Sequence, residues 1–474
     1  MNSPNVGFIR GEVHLSMPKW EIVDDCVSGD QAVKLKESKY LPKPETNSDP
    51  DKNQTQYEKY LLRAVFFPVT GRTRDGLVGQ VFSKPIDFDL PSSIDPLISD
   101  IDGSGNSIEQ QSKRTLSTVL TKGRAGLLSD FPRVTDGEVV TKHDVDTGKY
   151  RPNVILYQPQ QIINWRNVSI GGEQRLSLLI LEESKIVEDD GYEFKMAPRW
   201  RDYRLTSEMQ VTVTVWMKDP DNEDNYIQDE DTSFVIGGDQ KPLSKIPFTF
   251  VGSTNNDSTI DDAPLYPIAT LNIAHYRNSA DYEQSSFICG QPTPLFTGLT
   301  DDWVGNHMKG KVMMGSTNGI NLPAGATGEL LQPAPNSMAK EAMDHKEDQM
   351  KAIGAKLIEP NMVERTASEV EIEATSEASI LSSIAKNVSE AYETALMHCS
   401  WFMTPLDLDE ITVTLNSEFQ VAGLNAQERQ EVMSAWQGGL ITKAEAREVY
   451  RKKGIATETD EEAAISISGD GELV

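Results

Sequence analysis

Two stretches of this 474-residue chain come close to known ligand-binding loops in residue type and spacing. The first, residues 305–312 (GNHMKGKV), nearly matches a P-loop, in which backbone N–H groups and a lysine bind phosphates and a following Ser or Thr binds Mg²⁺. Val312 occupies the Ser/Thr position, and the next residues, VMMGSTNG, are typical of a strand where the motif requires a helix. The sequence favours a β-turn here over a nucleotide site.

The second stretch, residues 219–230 (DPDNEDNYIQDE), places acids at positions 1, 3, 5 and 12 of a Ca²⁺ loop. Asp224 stands where that loop needs glycine, and the flanking segments VTVTVWM and TSFVIGG are typical of strands. We expect an exposed acidic hairpin loop, with incidental cation binding left open.

A third stretch, residues 100–105 (DIDGSG), resembles both a Ca²⁺ loop and a glycine-rich turn. Ser107 followed by Gln110 is a capping-box pattern, so a turn before a helix is the favoured interpretation. That helix runs over 107–122, ends at Gly123 and leads into a buried strand.

The six histidines are not spaced as metal ligands, and neither G-x-S-x-G nor H-E-x-x-H occurs in the sequence. We therefore predict no catalytic residues, no metal site and no cofactor. His275 and His345 fall on two predicted helices, where a hydrogen-bonding or subunit-contact role is favoured over catalysis. Arg277 and Asp281 are assigned to the same contacts.

Composition excludes several classes of protein. The net charge of −28 argues against a general nucleic-acid-binding surface, which needs clustered Lys and Arg, and its simplest effect is solubility. Three widely spaced cysteines indicate a reduced compartment without a disulfide framework. A signal-peptide pattern and an apolar run of membrane-spanning length are both missing, so we expect a protein made in a cytoplasm, with no membrane partner.

The rest of the chain is organised around residues 264–404. A first helix is predicted to begin at residue 264, where prolines are tolerated in the first turn, and to end at Gly290. Its polar faces suggest that it faces solvent or packs against copies of itself. A glycine-punctuated β insert follows, then a second helix that Pro360 ends, the short break EPNMVERT, and a long helix with 3.5–3.6-residue periodicity.

The flanking regions complete an α+β fold. Short apolar runs over 151–251 predict a mostly antiparallel sheet that packs against helices at 57–82 and 107–122, and residues 411–419 are expected to add a strand to that sheet. A helix over 20–34 broken near Gly29 and a loop over 43–56 are also predicted. Thr442 is the expected N-cap of the last helix.

Several short stretches carry a resemblance to a known family. They are YLPKP (40–44), YLLRAVFFPVTGRTRDGLVGQVFSKP (60–85), GRAGLLSDFP (123–132), IINW (162–165), IPFTFVGS (246–253) and APLYPIATLNIAHYRNSADYE (263–283). In this order the chain resembles bacteriophage portal proteins, the ring-shaped head-to-tail connectors, of the branch long catalogued as a phage domain of unknown function. The resemblance implies these parts: wing 1–263, stem helix 264–289, clip 290–335, second stem helix 336–358, tunnel loop 359–366, long helix and returning wing strand 367–423, crown helices 424–454, and acidic disordered tail 455–474.

The resemblance also implies a function without catalysis. Portal-like chains form a homo-oligomeric ring, usually a dodecamer, at one capsid vertex of the virion, and double-stranded DNA passes through it during packaging and ejection without sequence specificity. Terminase, adaptor or tail proteins, and major capsid and scaffold proteins are the implied partners, with assembly in the host bacterial cytoplasm. Acidic subunits around the channel would leave the duplex free to slide. The implied DNA-facing residues of the tunnel loop are Asn361, Met362, Glu364 and Arg365.

Two alternatives remain at this point. A cation- or nucleotide-dependent enzyme would use 219–230 or 305–312. Another virion ring protein, such as an adaptor, would usually be shorter and would lack the long helix 367–404.

Overall fold

The computed structural model describes residues 5–44, 49–132, 150–290, 293–308, 322–331, 337–358, 379–419, 432–436, 442 and 445–447. Helices and mostly antiparallel sheets are both present, which confirms the predicted α+β class. The chain forms two compact units. Unit 1 comprises 1–23, 73–266 and 353–474, and unit 2 comprises 24–72 and 267–352.

The longer helices and the strands alternate in blocks along the chain. The helices are α1 Gly11–Ser28, α2 Asp30–Leu35, α3 Pro50–Arg63, α4 Val69–Val81, α5 Ile108–Lys122, α6 Tyr266–Cys289, α7 Met338–Lys356 and α8 Ile380–Ser400. The strands are β1 Asp87–Asp89, β2 Arg124–Asp130, β3 Asn153–Tyr157, β4 Ile162–Ile170, β5 Glu173–Asp189, β6 Phe194–Leu205, β7 Val211–Asp219, β8 Asn222–Phe234, β9 Phe248–Gly252, β10 Thr293–Thr297, β11 Thr327–Leu331 and β12 Thr412–Thr414. Among the described residues, no helix is long and apolar enough to cross a membrane.

Two sheets form the framework of unit 1. Strands β4 to β8 make an antiparallel five-stranded meander, and β3, β2 and β9 make a three-stranded antiparallel sheet. The main apolar core includes Trp165, Tyr203, Phe248 and Phe250, so it joins side chains from both sheets. The predicted β-rich region is therefore two sheets instead of one.

Helices α5 and α8 pack on the three-stranded sheet. Ser107 caps α5 in a capping box with Gln110, and Gly123 ends it at φ 76°, as the sequence predicts. Tyr392 of α8 shares a hydrogen bond with the Thr115 hydroxyl over 2.9 Å. Ser129 of β2 donates to the carbonyl of Ala395 over 2.7 Å. These bonds satisfy polar groups in the core, where an unpaired group would destabilise the fold.

The end of the chain returns to unit 1 in a different place from the predicted one. Residues 411–419 were expected to extend the large sheet, but β12 pairs with the short strand β1 as a separate antiparallel ribbon, with Phe88 opposite Val413. Val413 is fully buried there. The prediction that these residues extend the large sheet is wrong. The strand with which β12 pairs, β1, is only three residues long and has no apolar pattern that the sequence would reveal.

Two helix predictions also need correction. Pro50 begins α3, and Asp49 accepts backbone N–H groups at its start, so residues 50–56 are helical where a loop was predicted. The helix predicted over 367–404 begins instead at Ile380, because Ser379 is extended and its hydroxyl accepts the N–H of Ser382 as an N-cap. Residues 367–378 lie outside the described residues.

A buried cation lies in the core of unit 1. The Arg124 guanidinium lies 4.1 Å from the centre of the Trp165 ring and 4.2 Å from that of Phe250, and Arg10 covers Trp165 at 4.3 Å. Its Nε and Nη2 have no hydrogen-bond partner in the described part of the chain. Burial, and secondarily Arg10, lowers the pKa of Arg124 to about 9. Its charge is thus held by two aromatic faces and by carboxylates at longer range.

Candidate functional site

The centre of unit 2 is helix α6, the first predicted stem helix. Its polar side chains are largely used by the segment 24–72 of the same chain. Asn272 accepts the backbone N–H and the hydroxyl of Thr70, at 3.2 and 2.9 Å, and donates to the carbonyl of Phe67 at 2.8 Å. A buried asparagine with these bonds fixes the register between α6 and the start of α4.

Two residues that were assigned to subunit contacts bind within unit 2. Asp281 accepts the Tyr60 hydroxyl of α3 at 2.6 Å, and Arg277 donates through Nε to the carbonyl of Tyr40 at 2.7 Å. Burial, together with the Asp281 carboxylate, raises the pKa of Tyr60 well above its usual range. Tyr60 is therefore a proton donor at all ordinary pH values.

The histidines of the two predicted stem helices have different surroundings. His275 is buried, with Nε2 3.5 Å from the Glu347 carboxylate of α7, and Phe67 lies against its ring. Burial lowers the pKa of His275, with Glu347 acting in the opposite direction, so the ring is neutral at pH 7. His345 is exposed, and its Nε2 lies 3.1 Å from the amide of Gln349 one turn further along α7.

The polar face of α6 therefore has a partner that the sequence analysis did not consider. It was expected to face solvent or other copies, whereas much of it packs against residues 40–72. Asn272, His275 and Ser279 are all buried and follow one another at intervals of three and four residues, which places them on one helix face. That spacing was the available signal, because polar residues that share one face can mark a buried hydrogen-bonding seam.

The predicted clip region, which falls in unit 2, is described in part. Strands β10 and β11 form an antiparallel ribbon from Thr293–Leu331 to Thr297–Thr327, as the β-rich insert predicted. Residues 304–308 continue a short helix over Asp301–Trp303 as a helical turn, where a P-loop would follow a strand. The remaining residues of GNHMKGKV, including Lys311, lie outside the described part.

The acidic stretch 219–230 forms part of a β-hairpin. Asp219 pairs with Asn222 around a turn at Pro220 and Asp221, and the following acids are spread along β8. Asp229 is bound to Lys185 of β5 at 2.7 Å. The predicted hairpin is confirmed, with a shorter loop than expected. Among the described residues, no group of three His, Cys, Asp or Glu side chains is placed to hold a metal ion.

The DIDGSG stretch is a turn before a helix, as predicted. Asp100 accepts the backbone N–H of Gly105 at 3.0 Å and pairs with Arg151, while Asp102 accepts the N–H of Ser104 at 2.9 Å. Burial opposes ionisation of Asp100, but the Gly105 N–H and Arg151 outweigh it and lower the pKa of Asp100. The two carboxylates are thus bonded to backbone N–H groups of the turn and, for Asp100, also to Arg151.

Four predicted site residues cannot be placed. The candidate DNA-facing residues Asn361, Met362, Glu364 and Arg365 lie in 359–378, outside the described residues. The predicted crown is described only at 432–436 and 445–447, which are helical, and at Thr442. Thr442 Oγ1 accepts the N–H of Glu445, and the Glu445 carboxylate accepts the N–H of Thr442, so the predicted N-cap is confirmed.

Comparison with known proteins gives one family match. A model described as a domain of unknown function, DUF4055, matches residues 264–403, which are less than half of the chain. The matched range begins at the start of α6 and ends just after α8. No curated protein matches the chain.

Solved structures are similar to this chain at a distance. The neck of an empty gene transfer agent (GTA) particle, computed with C6 symmetry, aligns with 80% of this chain and 89% of its own at 11% identity and a TM-score of 0.37. The virion of a native GTA particle aligns with 82% and 91% at 10% identity and a TM-score of 0.37. The neck of a native GTA particle, computed with C12 symmetry, aligns with 82% and 91% at 13% identity and a TM-score of 0.33.

Proposed function

We propose that this chain is a structural protein of a phage-type virion neck and, more specifically, the portal protein of that particle. The observation that carries the proposal is the order of elements in residues 266–400. A long helix is followed by a β ribbon, a second long helix and, after an interval of about twenty residues, a third helix buried against a sheet. The same order, together with the motifs of the sequence, underlies the resemblance to portal proteins.

In this proposal, the chain acts through assembly and geometry. Copies close into a ring, usually of twelve, through heterologous contacts, in which one patch of a subunit meets a different patch of the next. Helices α6 and α7 frame a channel for double-stranded DNA, and the clip ribbon offers a docking site for terminase and later for adaptor proteins. Contact with DNA is nonspecific, because a moving duplex presents phosphates of every sequence in turn.

The tunnel-loop assignment remains a separate part of the proposal. Asn361, Met362, Glu364 and Arg365 are the candidate DNA-facing residues, and a Glu364→Ala, Arg365→Ala variant is expected to form normal rings but to package DNA less efficiently. A matched Glu58→Ala, Lys59→Ala variant, on exposed positions of α3 and outside the helices proposed to frame the channel, should package DNA normally.

Electron microscopy of the purified full-length protein tests the central claim. Class averages along the symmetry axis should show a ring with a hole wide enough for duplex DNA, roughly 20 Å or more. Particles that remain monomeric across protein concentration, salt and the presence of scaffold protein would refute the portal proposal. Rings of much smaller mass per subunit than the 52.6 kDa of this chain would identify a contaminant.

A further inference from the structure

Strands β5 and β6 extend beyond the sheet to which they belong. The last pair between β6 and β7 is Arg199 opposite Met217, whereas the β5–β6 pairing continues to Asp189 opposite Phe194. Residues 186–196 therefore form a two-stranded projection, which we call the β5–β6 arm, and Lys185 at its base is bound to Asp229 of β8. A two-stranded ribbon is only marginally stable in water on its own, so an uncovered arm of this length calls for a partner.

One face of the arm is apolar and exposed. Ile186 lies directly opposite Met196, and Phe194 is on the same face because it is two residues from Met196 along β6. The exposed fractions of these three residues are 49%, 54% and 60%. Together they expose roughly 300 Å² of apolar side chain, if each large side chain offers somewhat under 200 Å². A patch of this size is comparable to the largest apolar patch on a typical monomer, and such patches are often functional.

The same face continues into a small core at the base of the arm. Trp200 follows Met196 and Pro198 at two-residue intervals, and it packs in a cluster with Val6 and Ile180. Trp216 lies opposite Trp200 on β7. The indole N–H groups of both tryptophans are buried and have no hydrogen-bond partner within the described ranges. The apolar stripe thus runs from a buried core to the tip of the arm without a break.

A second apolar patch lies on the edge strand of the same sheet face. Phe234 of β8 is opposite Thr212, which shares its face with Trp216. Phe234 and Ile236 are exposed, whereas Val235 between them points into the main core. We call Phe234 and Ile236 the edge patch. Lys241 is beside it, in the turn that the Ile236–Pro242 bridge closes, and is largely exposed, with the Asp239 carboxylate 3.9 Å away.

We propose that the apolar face of the β5–β6 arm of one subunit packs against the edge patch of the neighbouring copy. This inference rests on the ring assembly proposed above and names its contact. A closed heterologous ring requires two different complementary patches on every subunit, and this sheet face carries two. The exposed acids at the arm tip, Asp189, Asp190 and Glu193, would then approach the region of Lys241. The roughly 300 Å² on the arm would be somewhat less than half of the ~800 Å² that each partner buries in a standard interface.

Disulfide trapping tests the contact in the assembled protein. A chain that carries both Phe194→Cys and Phe234→Cys should give a ladder of covalent multimers under mild oxidation, since each subunit would bond to the next. Neither single variant should rise above the background of the unmodified chain, whose cysteines are 26, 289 and 399. Phe194 and Phe234 are exposed, so these substitutions should not affect folding.

A matched control uses the next residue on the same strand. Lys195 lies on the opposite face of the arm from Phe194, so Lys195→Cys with Phe234→Cys should form the ladder at least ten-fold more slowly. As an independent measurement, Met196→Asp should reduce the ring fraction at least ten-fold at a fixed protein concentration, as measured by mass photometry. Lys195→Asp should leave it within about two-fold.

The outcomes separate this inference from the proposed function. Rings that form normally but give no ladder from the double variant would overturn the arm contact and leave the portal proposal intact. Cross-linking of Phe194→Cys alone would also overturn it, because arm would then meet arm. A protein that stays monomeric in every condition would refute both.

Discussion

Glu183 lies at the centre of a buried ion-pair cluster on β5, and replacing it with glutamine gives a sharp test of the fold of unit 1. The Glu183 carboxylate lies 2.7 Å from Arg199 and 3.0 Å from Arg201, and it accepts the Tyr157 hydroxyl. Its side chain is 13% exposed. Arg201 also binds Asp130 of β2 at 2.5 Å, so the cluster links the five-stranded and three-stranded sheets.

The size of the effect follows from burial. Removing one partner from a buried ion pair typically destabilises a protein by about 3–5 kcal/mol, because a charge is left without its counter-ion. Arg201 keeps Asp130 in the Glu183→Gln variant, which favours the lower end, about 3 kcal/mol. At roughly 2 °C for each kcal/mol in a body of this size, the melting temperature should fall by about 6 °C. Glu188→Gln on the same strand is the matched control. Glu188 pairs with Lys195 but is 66% exposed, and exposed pairs contribute roughly 0–1 kcal/mol.

Differential scanning fluorimetry at pH 7, at a concentration where the variants share one oligomeric state, gives the comparison. A second scan series tests the electrostatic cause. Burial disfavours the ionised form of Glu183, but Arg201 and the Tyr157 hydroxyl outweigh it and lower the pKa. Because the pKa of Glu183 is lower in the folded than in the unfolded state, its ionised form stabilises the fold at pH values above the unfolded-state pKa, near 4.5. This stabilisation is lost as the pH falls. The gap between the parent chain and Glu183→Gln should therefore narrow below about pH 4.5. Equal melting temperatures for the two glutamine variants, or a gap that does not depend on pH, would refute this account.

Three further predictions have defined outcomes. Arg124→Met should leave the melting temperature unchanged or raise it, because burial disfavours the charged form of Arg124 and lowers its pKa. A loss of about 3–5 kcal/mol in the free energy of unfolding would instead indicate a direct ion pair. Tyr60→Phe and Asp281→Asn, measured by urea denaturation as a double-mutant cycle, should give a coupling energy of about 1.5–3 kcal/mol, and additivity would contradict the bond between them. Gly7→Ala should lower the melting temperature, because its Cβ would lie 2.2 Å from the Tyr226 hydroxyl on β8, and should change tryptophan fluorescence, because the Tyr226 ring packs against Trp200. The control Gly11→Ala meets nothing within 4 Å and should have neither effect.

The elements that sequence predicted well are those with local signals. The capping box at Ser107 and Gln110, the left-handed Gly123 and the buried strand after it all depend on a few consecutive residues. The same is true of the reciprocal bonds between Thr442 and Glu445. Each signal acts through its own backbone, so tertiary contacts do not have to be known.

The strand with which a segment pairs was harder to predict than the segment itself. Nothing in Thr412–Thr414 distinguishes the three-residue strand Asp87–Asp89 from the edges of the larger sheets. The start of α8 was misplaced for a related reason. Residues 366–383 offer Thr366, Ser368, Ser379 and other hydroxyl residues as N-caps, and the apolar period continues through all of them. The packing of Leu381 and Ile384 in the core shows where the helix is needed, and the sequence alone does not.

The surroundings of α6 bear on where a ring would be held together. Arg277 and Asp281, which were predicted to be subunit contacts, are bonded to Tyr40 and Tyr60 of the same chain, and Asn272 is bonded to Thr70. A side chain whose hydrogen bonds are already satisfied within its own chain gains little from a partner in another subunit. The β5–β6 arm and the edge patch instead expose apolar side chains, as does the end of α6 at Phe287 and Ile288, away from its polar face. If this chain forms a portal ring, the sheet of unit 1 should therefore contribute more to subunit cohesion than the polar face of α6. Arm substitutions should accordingly weaken the ring more than substitutions at His345, which is exposed and contacts Gln349 of its own helix.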